Sequence, residues 1–255
     1  MGAGISQRPE VATGTAATAG ETPALPATTF AGFIHGILEN NPVSLKLYFL
    51  RHGQTPYSRD NAFCGAGLNP ELTADGTAMA QAFGKAYQSL PWRAVYVSPL
   101  KRTIATAEPL CTAIGAKMEL REDLMEIRYG QWEGKSIEEV NKEFHDDYIR
   151  WSADPAWNAP TGGEAAVVIA RRALQVIEEI KQRYTDGNVL VVSHKATIRI
   201  MISSLLGIDV GRFRYRLACP VGSVSIVEFT AEGPLLHSLA DRAHLDAHLR
   251  SSRGT

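Results

Sequence analysis

A chain of 255 residues with 45% hydrophobic side chains is long enough to bury one sizeable core, and needs no disulfide or structural metal to hold it. Its 26 basic and 27 acidic residues leave a net charge of −1, so charge alone favours neither nucleic acid nor an anionic membrane. The three dispersed cysteines, Cys64, Cys111 and Cys219, read as free thiols in a reducing, cytoplasmic setting. None opens a Cys-x5-Arg loop, because Pro70, Lys117 and Ser225 stand six residues on.

In chain order, the first 29 residues carry few large apolar side chains, and residues 1–44 are expected to be a disordered leader or extension. The start of the chain fits the loose myristoylation pattern, with an organelle-targeting leader as an equal alternative. Phe30 to Leu38 is too short and glycine-interrupted to span a membrane, and no other run is long enough. A folded domain is expected over 45–250, with 251–255 as a tail.

Leu45 to Leu50 is a mostly apolar run that suits a buried strand, and it passes directly into Arg51, His52 and Gly53. Thr73 caps a helix whose Met79, Phe83 and Tyr87 share a face. Ala94 to Val97 reads as a short strand and Leu100 to Ile114 as a helix closed by Gly115. Met118 to Leu120 reads as a strand, and Ser136 with Glu139 has the capping-box spacing of a helix start. Gly130 to Ser136 mimics a phosphate-binding glycine loop but is one residue short and follows no apolar strand, so it reads as a turn and cap. Glu164 to Tyr184 is a long amphipathic helix. Val189 to Ser193 is the most hydrophobic strand, followed by a helix from Lys195 to Leu206. Ser223 to Phe229 and Leu235 to Leu239 close the sheet. Alternation of strand and helix predicts an α/β fold, a three-layer α/β/α sandwich with a mostly parallel central sheet.

Three strand-to-helix junctions carry the chemistry: Arg51-His52, the stretch Ser98 to Arg102, and Ser193-His194. In a parallel sheet all three reach the same carboxyl-terminal edge, where ligands bind. Guanidinium forks, imidazoles and a helix amino terminus converging there suit a dianion, and phosphate is the natural one. His52 alone reads equally as nucleophile, acid/base or metal ligand.

These segments resemble the histidine phosphatase superfamily, the phosphoglycerate-mutase-like enzymes. Arg51-His52-Gly53-Gln54-Thr55 is similar to its signature, and Ser98 to Ala107 to the segment bearing its second phosphate-binding arginine. Leu124 to Gly134 resembles the stretch holding its acid/base glutamate. Thr161 to Glu164 matches the entry to its long helix, and Val191 to His194 the strand bearing its second histidine. Five segments in order, from about Leu45 to Leu249, carry the resemblance.

The resemblance implies a phosphohistidine mechanism without cofactor or metal. His52 would be the nucleophile, Glu126 the general acid and base, and His194 the second catalytic histidine. Arg51, Arg102, Thr55, Ser58 and Lys195 would bind phosphate, and Gly65, Tyr129 and His244 would line the substrate pocket. The chain departs from the family at Ser58, where asparagine is frequent, at Lys195, where glycine is frequent, and at Tyr129, where a pocket histidine stands in some relatives. The Lys195 side chain is expected to turn away, leaving only its backbone N–H to the phosphate. Glu126 and Gly163 are too close in sequence to hold the inserted lid of a mutase, which points to the phosphatase branch and to metal-independent phosphoserine phosphatases in particular. Phosphoserine is the candidate substrate. A phosphoglycerate mutase and a non-catalytic phospholigand-binding protein are the alternatives, and a homodimer is an alternative to the monomer. No nucleic-acid partner or membrane span is expected.

Overall fold

The computed structural model describes residues 44–254. The disorder expected of the leader therefore lies outside the described residues, Ser44 excepted. A single sheet of six strands runs in the order β3-β2-β4-β1-β5-β6. Strands β1 (Leu45–Arg51), β2 (Trp92–Val97), β3 (Met118–Leu120) and β4 (Gly187–Ser193) are parallel to their neighbours in that group. β5 (Val224–Thr230) runs antiparallel to β1, and β6 (Gly233–Asp241) antiparallel to β5. The parallel arrangement thus holds for four strands. It ends at β5, whose link to β6 is the Ala231-Glu232 turn, far too short for a crossover.

Helices cover both faces, so the central strands are apolar on both sides, with the two sets of side chains alternating. Tyr48, Leu50, Leu190 and Val192 pack against α2 (Ala74–Tyr87) and α3 (Lys101–Ile114) through Phe83, Ala107 and Leu110. Leu47, Phe49, Val189 and Val191 pack on the other face against α6 (Ala166–Arg183) and α7 (Lys195–Leu205) through Ile177, Ile180, Met201 and Ile202. Each such side chain, fully buried, stabilises the fold by roughly 1.5–3 kcal/mol. Two short helices, α4 (Ile137–Glu143) and α5 (His145–Ala153), stand apart from the sheet around an aromatic cluster of Phe63, Trp132 and Trp151.

Local signals place the boundaries. Thr73 accepts from the Gly76 amide at 3.0 Å and opens α2, while Gly115 at φ 68° closes α3. The Ser136–Glu139 capping box is formed and starts α4. The long helix begins at Ala166 instead of Glu164, because the Glu164 carboxylate turns back to accept from the Arg128 amide and pairs with Arg172. Gly53 has no room for a side chain: a Cβ there would lie 2.3 Å from the Gly76 carbonyl, so the loop after β1 seats against the start of α2.

Residues 251–254 are not a detached tail. After α9 (Ala247–Ser251) the chain folds back on the β1 loop. Gly254 accepts from the Val221 amide and from Arg51, and the Arg253 carbonyl accepts from Gln54. Composition gives no hint of this, since the contacts are made by backbone carbonyls.

Candidate active site

The register of the parallel strands brings the three junctions together. Arg51 pairs with Ser193, the His52 amide donates to the Ser193 carbonyl at 3.1 Å, and the Ser98 amide donates to Val192 at 3.0 Å. The rings of His52 and His194 end 5.2 Å apart. His52 Nδ1 lies 2.7 Å from its neighbour's carbonyl, Gly53 O. A carbonyl only accepts, so Nδ1 carries the proton and Nε2 holds the lone pair. Burial, then the charges of Arg102 and Arg51, push the His52 pKa well below its usual value. The imidazole is neutral at physiological pH, with one nitrogen free to act as a nucleophile.

Two buried arginines flank it. Arg51 is tied by Nη1 to the carbonyls of Cys219 (2.6 Å) and Gly254 (3.1 Å). Arg102, 1% exposed on the first turn of α3, is held at three nitrogens: Nε donates to His194 Nδ1 (3.2 Å), Nη1 to Leu68 O (2.9 Å) and Nη2 to Gly65 O (3.1 Å). A guanidinium held this way keeps its remaining N–H groups in a fixed direction without paying rotamer entropy on binding.

His194 is fully buried, and both of its nitrogens are engaged. Because Arg102 Nε must donate, Nδ1 accepts, and Nε2–H donates to Ser98 Oγ at 2.8 Å. The ring is not among the residues that line the cavity, and it braces Arg102 through Nδ1. Glu126, by contrast, lines the cavity at the amino terminus of α7. Its Oε1 accepts from the Ile127 amide and from the amide and hydroxyl of Thr197, and its Oε2 from the Ala196 amide at 3.2 Å. Two amides of the first turn expected to face the anion therefore serve this carboxylate instead. Oε2, with a single donor, has the capacity left to carry a proton. Arg172 fixes the approach by donating to the carbonyls of Asp123, Met125 and Glu126.

The cavity has a volume of about 350 Å³, the size of a small metabolite. Arg51, His52, Arg102 and Glu126 line one part of it. Thr55 and Ser58 also reach the wall, but as the capping box of α1 (Pro56–Arg59). The Ser58 hydroxyl hydrogen goes to Thr55 O at 3.0 Å, so Ser58 has no donor left for phosphate, a correction to its expected role. Lys195 lines the cavity, and its ammonium is pushed down to about 7 by burial and by Arg51 and Arg199.

Of the expected pocket residues, Tyr129 is in the wall. Gly65 is not. It lies against Ile127 O, where a Cβ would come within 2.0 Å, and serves through its carbonyl, which holds Arg102. His244 is also elsewhere: its ring packs edge-on to Phe83 (5.8 Å) and Tyr87 (5.7 Å) on the α2 side of the sheet, and neither nitrogen has a hydrogen-bond partner among the described residues. The family resemblance does not fix where this ring packs, and His244 does not line the cavity. Trp151, Arg199, Phe213 and Arg214, which no motif of the sequence marks, also line the wall. Arg199 stands one helical turn after Lys195 on the same face.

Comparison with known proteins agrees with this geometry. The family model of the histidine phosphatase superfamily (branch 1) matches residues 47–242. Phosphoserine phosphatase 1 of Hydrogenobacter thermophilus is 28% identical over 201 residues, covering 79% of this chain and 94% of that protein. The adenosylcobalamin/alpha-ribazole phosphatase of Escherichia coli is 27% identical over 163 residues, 64% of this chain and 80% of that protein. The solved structure of Bacillus stearothermophilus YhfR superposes with a TM-score of 0.74 at 25% identity, covering 79% of this chain and all of that one. With the matched region running from β1 to the end of β6, the chain belongs to the histidine phosphatase superfamily.

Proposed function

We propose that the protein is a metal-independent phosphomonoesterase that hydrolyses a small phosphorylated metabolite through a phosphohistidine at His52. The observation that carries this is the state of His52, a neutral imidazole whose Nδ1–H is held by Gly53 O, beside two buried guanidiniums and opposite a carboxylate. Nε2 attacks phosphorus in line as the bond to the leaving oxygen breaks, and the Nδ1–H bond to Gly53 O steadies the ring as it gains positive character. Arg51 and Arg102 hold the non-bridging oxygens, supplying the charge that a metal supplies in other phosphoryl transfers. Glu126 gives its proton to the departing alkoxide. The carboxylate then takes a proton from water, whose oxygen attacks the phosphohistidine and returns His52 to its starting state. His194 acts through Arg102 as a positioning residue.

Hydrolysis is preferred to phosphoryl transfer between substrate oxygens, because the segment between Glu126 and α6 forms only the 3-10 turn Gly130–Trp132 and the short helices α4 and α5. The family's relatives named phosphatases point the same way. The test is release of inorganic phosphate from nitrophenyl phosphate and a panel of small phosphomonoesters, in chelator. Turnover at ordinary enzyme rates supports the reading. Complete inactivity, or isomerisation of 3-phosphoglycerate faster than its hydrolysis, overturns it.

A further inference from the structure

The cavity holds more positive charge than a phosphoryl group needs. Beyond Arg51 and Arg102, two further guanidiniums line it, those of Arg199 and Arg214. Among the described residues the one carboxylate on the wall is Glu126, already met by donors from Ile127, Ala196 and Thr197. Elsewhere on the protein, arginines such as Arg93, Arg121 and Arg183 each pair with a carboxylate. Arg199 and Arg214 form no ion pair among the described residues, and Arg199 Nε is buried without a hydrogen-bond partner.

These cations are held in place. Arg199 stands four residues after Lys195 on α7, so it shares that residue's face about 6 Å further along the axis. Arg214 comes from α8 (Phe213–Arg216), and its guanidinium lies 3.8 Å from the centre of the Trp151 ring. Such stacking orients the fork while leaving its N–H edge open to an anion. Like charges packed this closely repel one another, and that repulsion is relieved when an anion binds among them.

The chemistry of the wall also says what is disfavoured. An ammonium group on the substrate would enter beside Arg199 and Arg214, with no spare carboxylate among the described residues to receive it. Phosphoserine carries such a group. The same molecule with a hydroxyl in place of the ammonium is 3-phosphoglycerate, which offers a carboxylate to the cations and brings no positive charge.

We propose that Arg199 and Arg214 form a second anion subsite, and that the substrate is a small phosphomonoester bearing a further acidic group and no ammonium. This rests on the phosphatase reading above and narrows it. It also ranks phosphoserine, the candidate that the resemblance favours, below its ammonium-free counterpart.

The test is a matched substrate series on the unmodified protein: 3-phosphoglycerate, phosphoserine, glycerol 3-phosphate, phosphoethanolamine and a propane bisphosphate. We expect kcat/KM for 3-phosphoglycerate or the bisphosphate to exceed that for phosphoserine and glycerol 3-phosphate by roughly tenfold or more, with phosphoethanolamine poorest. The two acidic substrates separate a carboxylate subsite from a phosphate subsite. In Arg199→Gln, the ratio of kcat/KM for the preferred acid to that for nitrophenyl phosphate should fall roughly 30-fold, as for loss of a charge-assisted hydrogen bond, and Arg199→Lys should recover part of it. Phosphoserine or phosphoethanolamine matching the best acid overturns the proposal, as does a ratio that changes less than about threefold in Arg199→Gln. Should that variant fail to fold, the series on the unmodified protein still decides. Dissociation constants for the same compounds, measured by calorimetry on His52→Asn, read the subsite without turnover. A reversed order there overturns the subsite even if phosphatase activity is intact, and the expected order upholds it even if no substrate is turned over.

Discussion

Two neutral imidazoles buried side by side make stability depend on pH in a way that can be worked out. The His52 and His194 pKa values are both pushed well below the usual one, in each case by burial first and by the charge of Arg102 next. Unfolded, each ring titrates at about 6.5. As pH falls through that value, the unfolded chain takes up protons that the native protein refuses, so the free energy of unfolding falls with pH. Each histidine contributes a slope of about 1.4 kcal/mol per pH unit once its unfolded form is fully protonated, or roughly 2.7 for the pair, against a typical total of about 5–15. The penalty is absent above pH ~7 and grows until the native pKa values are reached. His244, lowered by burial, adds to the slope in the same sense. Paired carboxylates such as Glu179, held down at about 2 chiefly by its bond to Arg121, lose their contribution only as pH nears the unfolded glutamate value of about 4.3. Urea unfolding followed by circular dichroism between pH 7 and 5 therefore reads mainly the histidines, with Lys195, pushed down to about 7, adding to the slope in the same sense at the upper end of the range. His194→Gln, whose amide can still accept from Arg102 and donate to Ser98, should remove about half of the slope due to the pair. Stability that is flat across this range would refute the claim that both rings are held neutral, and with it the account of the nucleophile.

Glu126→Gln should lower the rate by roughly 10²–10⁴, and by less for nitrophenyl phosphate than for alkyl phosphates, since a good leaving group needs less protonation; equal losses across leaving groups would remove Glu126 from that role. His194→Gln should keep activity within about tenfold while His194→Ala loses roughly 10²–10³, the cost of freeing a charge-stabilising Arg102; equal losses in steady-state assays would mean the ring touches phosphate itself. Deleting residues 253–255 removes the carbonyls that hold Gln54 and part of the Arg51 fork, and should raise KM for any phosphomonoester about tenfold and lower the melting temperature by several degrees; an unchanged KM would show the end of the chain to be a bystander.

The sheet and the three junctions were legible because their signals are local. An apolar run stops at Arg51, a second stops at Ser193, and a cap or glycine marks each helix that follows. Sequence order then brings the junctions to one edge, since parallel strands joined by helices can put them nowhere else. What stayed hidden depends on contacts between distant segments. Nothing local says that His194 spends both nitrogens on Arg102 and Ser98, or that Ser58 spends its hydrogen on Thr55. The fold-back of Gly254 onto Arg51 is a bond from a guanidinium to a backbone carbonyl across 203 residues and leaves no trace in composition. Nothing local says that Arg199, one turn after Lys195, lines the same cavity. His244 was placed in the pocket by the resemblance alone, which carried no information about the face of the sheet on which that ring packs.

The central claim is the covalent phosphohistidine, and rapid quench tests it most directly. Mixing the protein with a labelled phosphomonoester for milliseconds and stopping in alkali should trap close to one phosphoryl group per site. The label should be acid-labile, should map to the peptide containing His52, and should be absent from His52→Asn. Phosphatase activity that survives at more than a few per cent in His52→Asn, or a trapped label on any other residue, would contradict the account.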